Sequence, residues 1–222
     1  AMRVIGPRYG LPVAGLFAGF ASSTATIATM GAMAREKPEL LGSAASAAII
    51  SCLSTMLQLM LLLAAIDSAS LQIMLLPLLA GAVATLIYSA YGMLTWTGGP
   101  AAIELGRAFN VKIALAIGAS VGIVQLLSAV LFAWQGSDGL LLATTISGFA
   151  DTHAAAASVA NLTHSGKIPE AAIVVPILGA LSSNTVSKCF MAWVAGGKAF
   201  SLRVIPGLIL VLMALWAAWW LG

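Results

Sequence analysis

What the chain most lacks is charge. Of its 222 residues, 10 are Lys or Arg and 7 are Asp or Glu, or 8%, against about 25% in a soluble domain. So few charges cannot cover a surface in water. Their scarcity excludes a soluble globular enzyme, a disordered chain and a nucleic-acid-binding module. Cysteine is scarce too. Cys52 and Cys189 each lie inside an apolar run, which argues against a disulfide framework and for small buried hydrophobes. No Lys/Arg run exceeds two residues and no basic stripe alternates with aromatics, so no nucleic-acid partner is expected. The first ten residues hold Arg3, Gly6, Pro7 and Arg8, and show no cleavable signal peptide. What the chain has in abundance is hydrocarbon: 61% of residues are apolar and the mean hydropathy is +1.04. The solvent that suits it is lipid.

A helix needs about 20 apolar residues to cross the hydrocarbon core. Breaks at Gly, Pro and charge clusters predict an all-α transmembrane bundle of seven spans, near 11–34, 40–66, 71–94, 112–134, 139–163, 170–195 and 204–221. Arg35-Glu36-Lys37-Pro38-Glu39 closes the first span and Asp67-Ser68 the second; the loop from Thr97 to Asn110 is the longest. Trp134, Trp193, Trp216, Trp219 and Trp220 fall near span ends, where amphipathic rings favour the interface. Seven spans put Arg3, Arg8, Lys198 and Arg203 on one side and Arg35, Lys37, Arg107, Lys112 and Lys167 on the other. That balance sets no orientation.

The chain also repeats itself. Laid over itself so that Gly10 falls on Gly139, the stretch Gly10–Arg35 matches Gly139–His164 at 8 of 26 positions, including Gly19-Phe20-Ala21 with Gly148-Phe149-Ala150. Ser51-Cys52-Leu53-Ser54 and Ser182-Ser183-Asn184-Thr185 begin at equal distances past a proline, Pro38 and Pro169 respectively. With seven spans the copies point the same way, a parallel repeat: residues 1–111 form one unit, 112–222 the other, and the first lacks a leading helix that is expected upstream of residue 1. Transport folds often carry such duplications.

Polar residues within the spans gather at matching places in the two units. The first span carries Ser22, Ser23 and Thr24, the fifth Asp151-Thr152-His153, and the sixth Asn184, Thr185 and Lys188. Asp151 stands out, because a carboxylate about half way along a span must be paired, solvated or protonated. In a regular helix His153 sits about 200° round from Asp151 and cannot share its partner. A break at Gly148 would let both point into one cavity. Lys188 either reaches Asp151 or snorkels to the interface. Each of these has a plainer reading. Ser and Thr are ordinary packing residues between membrane helices, and Asp151 with His153 can be a structural pair. Asp67, Glu104 and Asp138 read as solvated loop charges, and Gly81, Gly118 and Gly122 as close-packing positions.

Gly-Pro-Arg-Tyr-Gly at 6–10, Gly-Phe-Ala-Ser-Ser-Thr-Ala-Thr at 19–26, Gly-Phe-Ala-Asp-Thr-His-Ala at 148–154 and Ser-Asn-Thr-Val-Ser-Lys at 183–188 resemble the C-terminal membrane domain, of unknown function, of bacterial MgtC/SapB-type proteins. The resemblance implies a bacterial inner membrane, an MgtC-like membrane region upstream, and a loose link to magnesium homeostasis through that region. Many such relatives carry a second acidic residue where His153 stands.

These readings lead to a multi-pass transporter- or channel-like domain for a small ion or solute. Asp151, His153, Asn184, Thr185 and Lys188 are the expected site, with Ser22, Ser23 and Thr24 at the pseudo-symmetric position. Proton coupling through Asp151 and His153 suits the residues; a divalent cation would ask for more oxygen ligands, and no metal is assigned. The alternative is a scaffold or regulatory domain that transports nothing. No enzyme is expected: there is no nucleophile elbow, no H-E-x-x-H, and one central carboxylate where aspartyl chemistry needs two. No cofactor is expected either. The partners expected are the lipid bilayer and the upstream region, with a homo-oligomer left open.

Overall fold

The computed structural model describes residues 2–96 and 140–222; for residues 2–8 and 140 it describes only the backbone. Every described element is helical. The order is α1 (Met2–Glu36), a 3-10 turn (Pro38–Leu40), α2 (Leu41–Ile66), α3 (Ser68–Thr95), α4 (Leu140–Gly148), α5 (Thr152–His164), a second 3-10 turn (Glu170–Ala172) and α6 (Val174–Leu221). Four helical stretches among the described residues are long and apolar enough to cross a membrane: Tyr9–Glu36, Pro38–Ile66, Ser68–Thr95 and Glu170–Leu221. The protein is thus a membrane-embedded helical protein.

These four stretches do not by themselves confirm the seven expected spans. Residues 139–163, read as one span, hold two short helices separated at Phe149–Asp151. The two spans read at 170–195 and 204–221 fall on the two arms of α6, which is two helices meeting in a kink at Gly197 (φ 69°, ψ −173°). That left-handed conformation is one glycine adopts without strain. The reversal is large. Trp216 Nε1 donates to Ser182 Oγ at 3.1 Å, whereas a straight helix would hold the two about 50 Å apart. The span near 112–134, the loop from Thr97 to Asn110, the 111/112 boundary, Trp134, Glu104, Asp138, Gly118 and Gly122 lie outside the described residues.

The chain forms two compact units. The first comprises residues 1–55, 82–118 and 188–211, and the second 56–81, 119–187 and 212–222. In the first, Gly15 lies against the backbone of Ala47 and Gly19 against that of Ser51. Ser54 Oγ donates to Leu16 O at 2.5 Å, and the hydroxyls of Ser23 and Thr55 meet at 2.9 Å. The contacts advance together along both helices, so this stretch of α1 runs parallel to α2. Yet four residues join Glu36 to Leu41, and five Cα steps reach about 17 Å. A straight α1 would leave a gap of about 40 Å. The helix therefore doubles back near Ser22, whose Oγ accepts the Ala25 N–H at 3.2 Å. Its returning arm brings Gly31 against Gly196 and Ala34 and Arg35 into one cleft with Lys198. Arg35 and Lys198, assigned to opposite faces by the seven-span count, are neighbours.

The second unit has close approaches and hydroxyl bonds of its own. Gly148 lies against the backbone of Ala180 and against Ser183, Ser183 Oγ donates to Thr145 O at 2.5 Å, and Ser187 Oγ donates to Phe149 O at 2.9 Å. Thus α4 runs parallel to the start of α6, while α5 packs back on α4. Its last residue, His164, comes within 3.6 Å of Asp67. The offset that carries Gly10 onto Gly139 also carries Leu16 and Ser54 onto Thr145 and Ser183. These bonds align Ser54 with Ser183, rather than Ser51–Ser54 with Ser182–Thr185.

Small residues make these approaches feasible, as between membrane helices generally. A methyl group at Gly19 or Gly148 would meet backbone, which cannot rotate away. Gly19→Ala and Gly148→Ala should each destabilise the protein by about 1–3 kcal/mol, read as a lower melting temperature in detergent. Asp67 gives a second prediction. It accepts from the Ser70 hydroxyl at 2.5 Å and from the Ser70 N–H at 2.9 Å, capping α3 rather than standing free in solvent. These bonds, the hydroxyl foremost, hold its carboxyl below the ordinary value of 3.8. Stability from this cap is present above that ordinary value and is lost as pH falls through the lowered one. Ser70→Ala should shrink the acid-side loss of melting temperature in a pH series.

Candidate functional site

The break between α4 and α5 is where the polar chemistry concentrates. Gly148 ends α4, a tight turn follows, and Asp151 takes an extended conformation (φ −151°, ψ 110°) as the N-cap of α5. Asp is a favoured N-cap because its carboxylate accepts an otherwise unbonded N–H of the first turn. Here Asp151 Oδ1 accepts the His153 N–H at 2.8 Å and lies 3.0 Å from His153 Nδ1. The break thus removes the objection that a regular helix would point the two apart. Asp151 lies outside the helix, so its side chain and that of His153 meet. An ionised carboxylate only accepts, so Nδ1 is the ring nitrogen that donates to it, and Nε2 is left facing away from the pair.

Two polar atoms at this turn have nothing to bond. His153 Nε2 and Thr152 Oγ1 are both buried without a hydrogen-bond partner among the described residues, and Thr152 is 1% exposed. Buried polar groups are almost always paired. Asp151 and His153 are themselves about one-third exposed at the side chain. The backbone, by contrast, is well served. Ser183 and Ser187 of α6 take up Thr145 O and Phe149 O, carbonyls that the end of α4 leaves without helical partners.

The matching turn in α1 carries Ser22, Ser23 and Thr24, which the repeat offset places on Asp151, Thr152 and His153. Ser22 accepts the Ala25 N–H as Asp151 accepts that of His153. Ser23 bonds Thr55, and Thr24 is half-buried. The first turn is uncharged and its caps are satisfied; the second is charged and has orphan atoms.

A family model described as a domain of unknown function, DUF4010, matches residues 1–196. The chain belongs to the DUF4010 family. The match ends beside the reversal at Gly197, so both hairpins and the first arm of α6 lie inside it. Its description carries no relation to MgtC/SapB-type proteins. No curated protein and no solved structure matches the chain.

The remaining expected site residues of this DUF4010 chain follow Ser183 on α6. Asn184 is buried, and the Thr185 hydroxyl donates to Leu181 O of its own helix at 2.8 Å. Lys188 is 3% exposed, and therefore does not snorkel to an interface. The ion pairs among the described residues are Asp151 with His153 and Asp67 with His164, neither of which includes it. No group of three or more His, Cys, Asp or Glu side chains suited to a metal occurs among the described residues. Cys52 and Cys189 are free thiols, the first buried. Thr152 as a site residue and Ser54 and Ser183 as pins are not among the residues expected from the sequence. The signal for the pins was there: each is a serine 38 residues after the carbonyl it bonds, at the repeat offset.

Losing a pin should cost less than losing a cap that also holds a side chain. Ser183→Ala removes one hydrogen bond and leaves Thr145 O without it, for about 1–3 kcal/mol. Asp151→Ala removes the cap and frees the imidazole, so nuclear magnetic resonance of a His153-labelled sample should show the neutral ring losing its single Nδ1–H tautomer.

Proposed function

We propose that this chain is a transport domain for a small ion or solute, built on two re-entrant helical hairpins that stand as an internal repeat. The observation that supports it is the duplicated pin. Ser54 holds Leu16 O and Ser183 holds Thr145 O, each beside a turn of polar residues. Broken helices with polar turns at membrane depth are how secondary transporters build their binding sites. Asp151, His153 and Thr152 are the working group of the second turn, with Asn184, Thr185 and Lys188 on the helix that supports it and Ser22, Ser23 and Thr24 as the uncharged counterpart. The Asp151–His153 pair suits proton coupling, since the carboxylate fixes the ring so that Nε2 takes up the proton. The chain does not act as an enzyme in this reading. A bacterial inner membrane, an attached MgtC-like region and a tie to magnesium rest on the resemblance alone.

α2 is about 39 Å long at 1.5 Å per residue, enough to cross the hydrocarbon core. In a background lacking Cys52 and Cys189, cysteines at positions 37 and 69 should label from opposite faces of sealed vesicles; labelling of both from one face overturns α2 as a crossing.

The transport reading is tested by ion and proton flux in proteoliposomes across pH and a series of divalent cations. Asp151→Asn should abolish flux while the protein still inserts, and flux equal to the parent overturns the site. A scaffold role has one observation on its side: the hydroxyls of Thr26, Thr29, Ser182 and Thr185 bond carbonyls of their own helices, as packing residues do. Under that role no variant changes flux, because there is none.

A further inference from the structure

A cleft of about 570 Å³ opens in the first unit where α1 ends and α6 reverses. Two of its walls bear cations, Arg35 and Lys198, and no acidic side chain among the described residues lines it. Neither cation belongs to an ion pair among the described residues. The floor is the Gly196–Gly197 backbone, where the left-handed conformation of Gly197 ends one helical arm and starts the next. The first N–H groups of an arm that starts this way have no helical acceptor. The rim is apolar and outward-facing: Trp193 is 56% exposed and Val194 52%.

Depth decides between a soluble and a lipid occupant. The membrane-length stretch Pro38–Ile66 begins at this cleft, so Arg35 and Lys198 stand at the level of phospholipid headgroups. An exposed indole beside them is what that level favours. Basic pockets between helices at a membrane face take anionic headgroups. We propose that this cleft binds the phosphate of an anionic phospholipid, with Arg35 and Lys198 on the phosphate, the Gly196–Gly197 turn beneath it, and the acyl chains descending past Trp193 and Val194. The assignment does not depend on transport: it concerns a different turn of the chain and different residues.

Native mass spectrometry of the full chain in detergent tests it, with phosphatidylglycerol, phosphatidylcholine and inorganic phosphate as separate titrants. Phosphatidylglycerol should bind tightest. Arg35→Gln and Lys198→Gln should each weaken it about fivefold, and together about 25-fold, as loss of one interfacial cation implies. Arg35→Lys should keep the affinity, and Lys167→Gln should leave it unchanged. The melting temperature of each variant separates lost binding from lost fold. Equal binding of the two lipids, or an equal loss in Lys167→Gln and Lys198→Gln, overturns the site. Inorganic phosphate that binds as tightly as the lipid and displaces it overturns the lipid assignment in favour of a soluble anion.

Discussion

A helix interrupted inside a membrane leaves carbonyl and N–H groups that lipid cannot bond, and each such group costs several kcal/mol if left alone. The two turns of this protein exist because neighbouring residues meet that demand. At the second turn, Ser183 and Ser187 supply donors for Thr145 O and Phe149 O, and Asp151 supplies the acceptor for the His153 N–H. At the first, Ser54 and Ser22 do the equivalent for Leu16 O and the Ala25 N–H. These side chains thus give the exposed backbone groups partners that lipid could not.

Close packing is the second half of the same arrangement. A serine hydroxyl reaches the carbonyl of another helix only if the two backbones nearly touch, and Gly19 and Gly148 permit this, each beside the serine that holds its hairpin. The glycine and the serine form one device, and the device occurs twice at one offset. Once the backbone is satisfied by its neighbours, the side chains of the turn are released for other chemistry. In the first copy Ser23 commits its hydroxyl to Thr55. In the second, Thr152 and His153 each keep a polar atom without a partner among the described residues, which is why the site reading favours that copy.

Much of this was legible in the chain. Paucity of charge gave the solvent, and apolar run lengths gave α2 and α3 nearly to their ends. The self-match of Gly10–Arg35 with Gly139–His164 gave the offset that the hydrogen bonds repeat. Asp151 and His153 were picked out together, and the break at Gly148 was named as the condition for their meeting. Run length did not mark the break between α4 and α5. Composition records a residue's preference for lipid and not the direction in which the chain travels.

The sequence by itself determined that the protein lives in lipid, that it is helical, and which few polar residues are out of place there. These follow from transfer free energies and spacing, which are local. Direction was decided only by tertiary structure. Whether α1 continues or doubles back depends on a serine 38 residues away reaching Leu16 O, and whether Arg35 stands near Lys198 depends on that reversal and on the one at Gly197. A hydrogen bond between distant residues leaves no mark in the composition of either segment, so the place of Arg35 beside Lys198 had to wait for it.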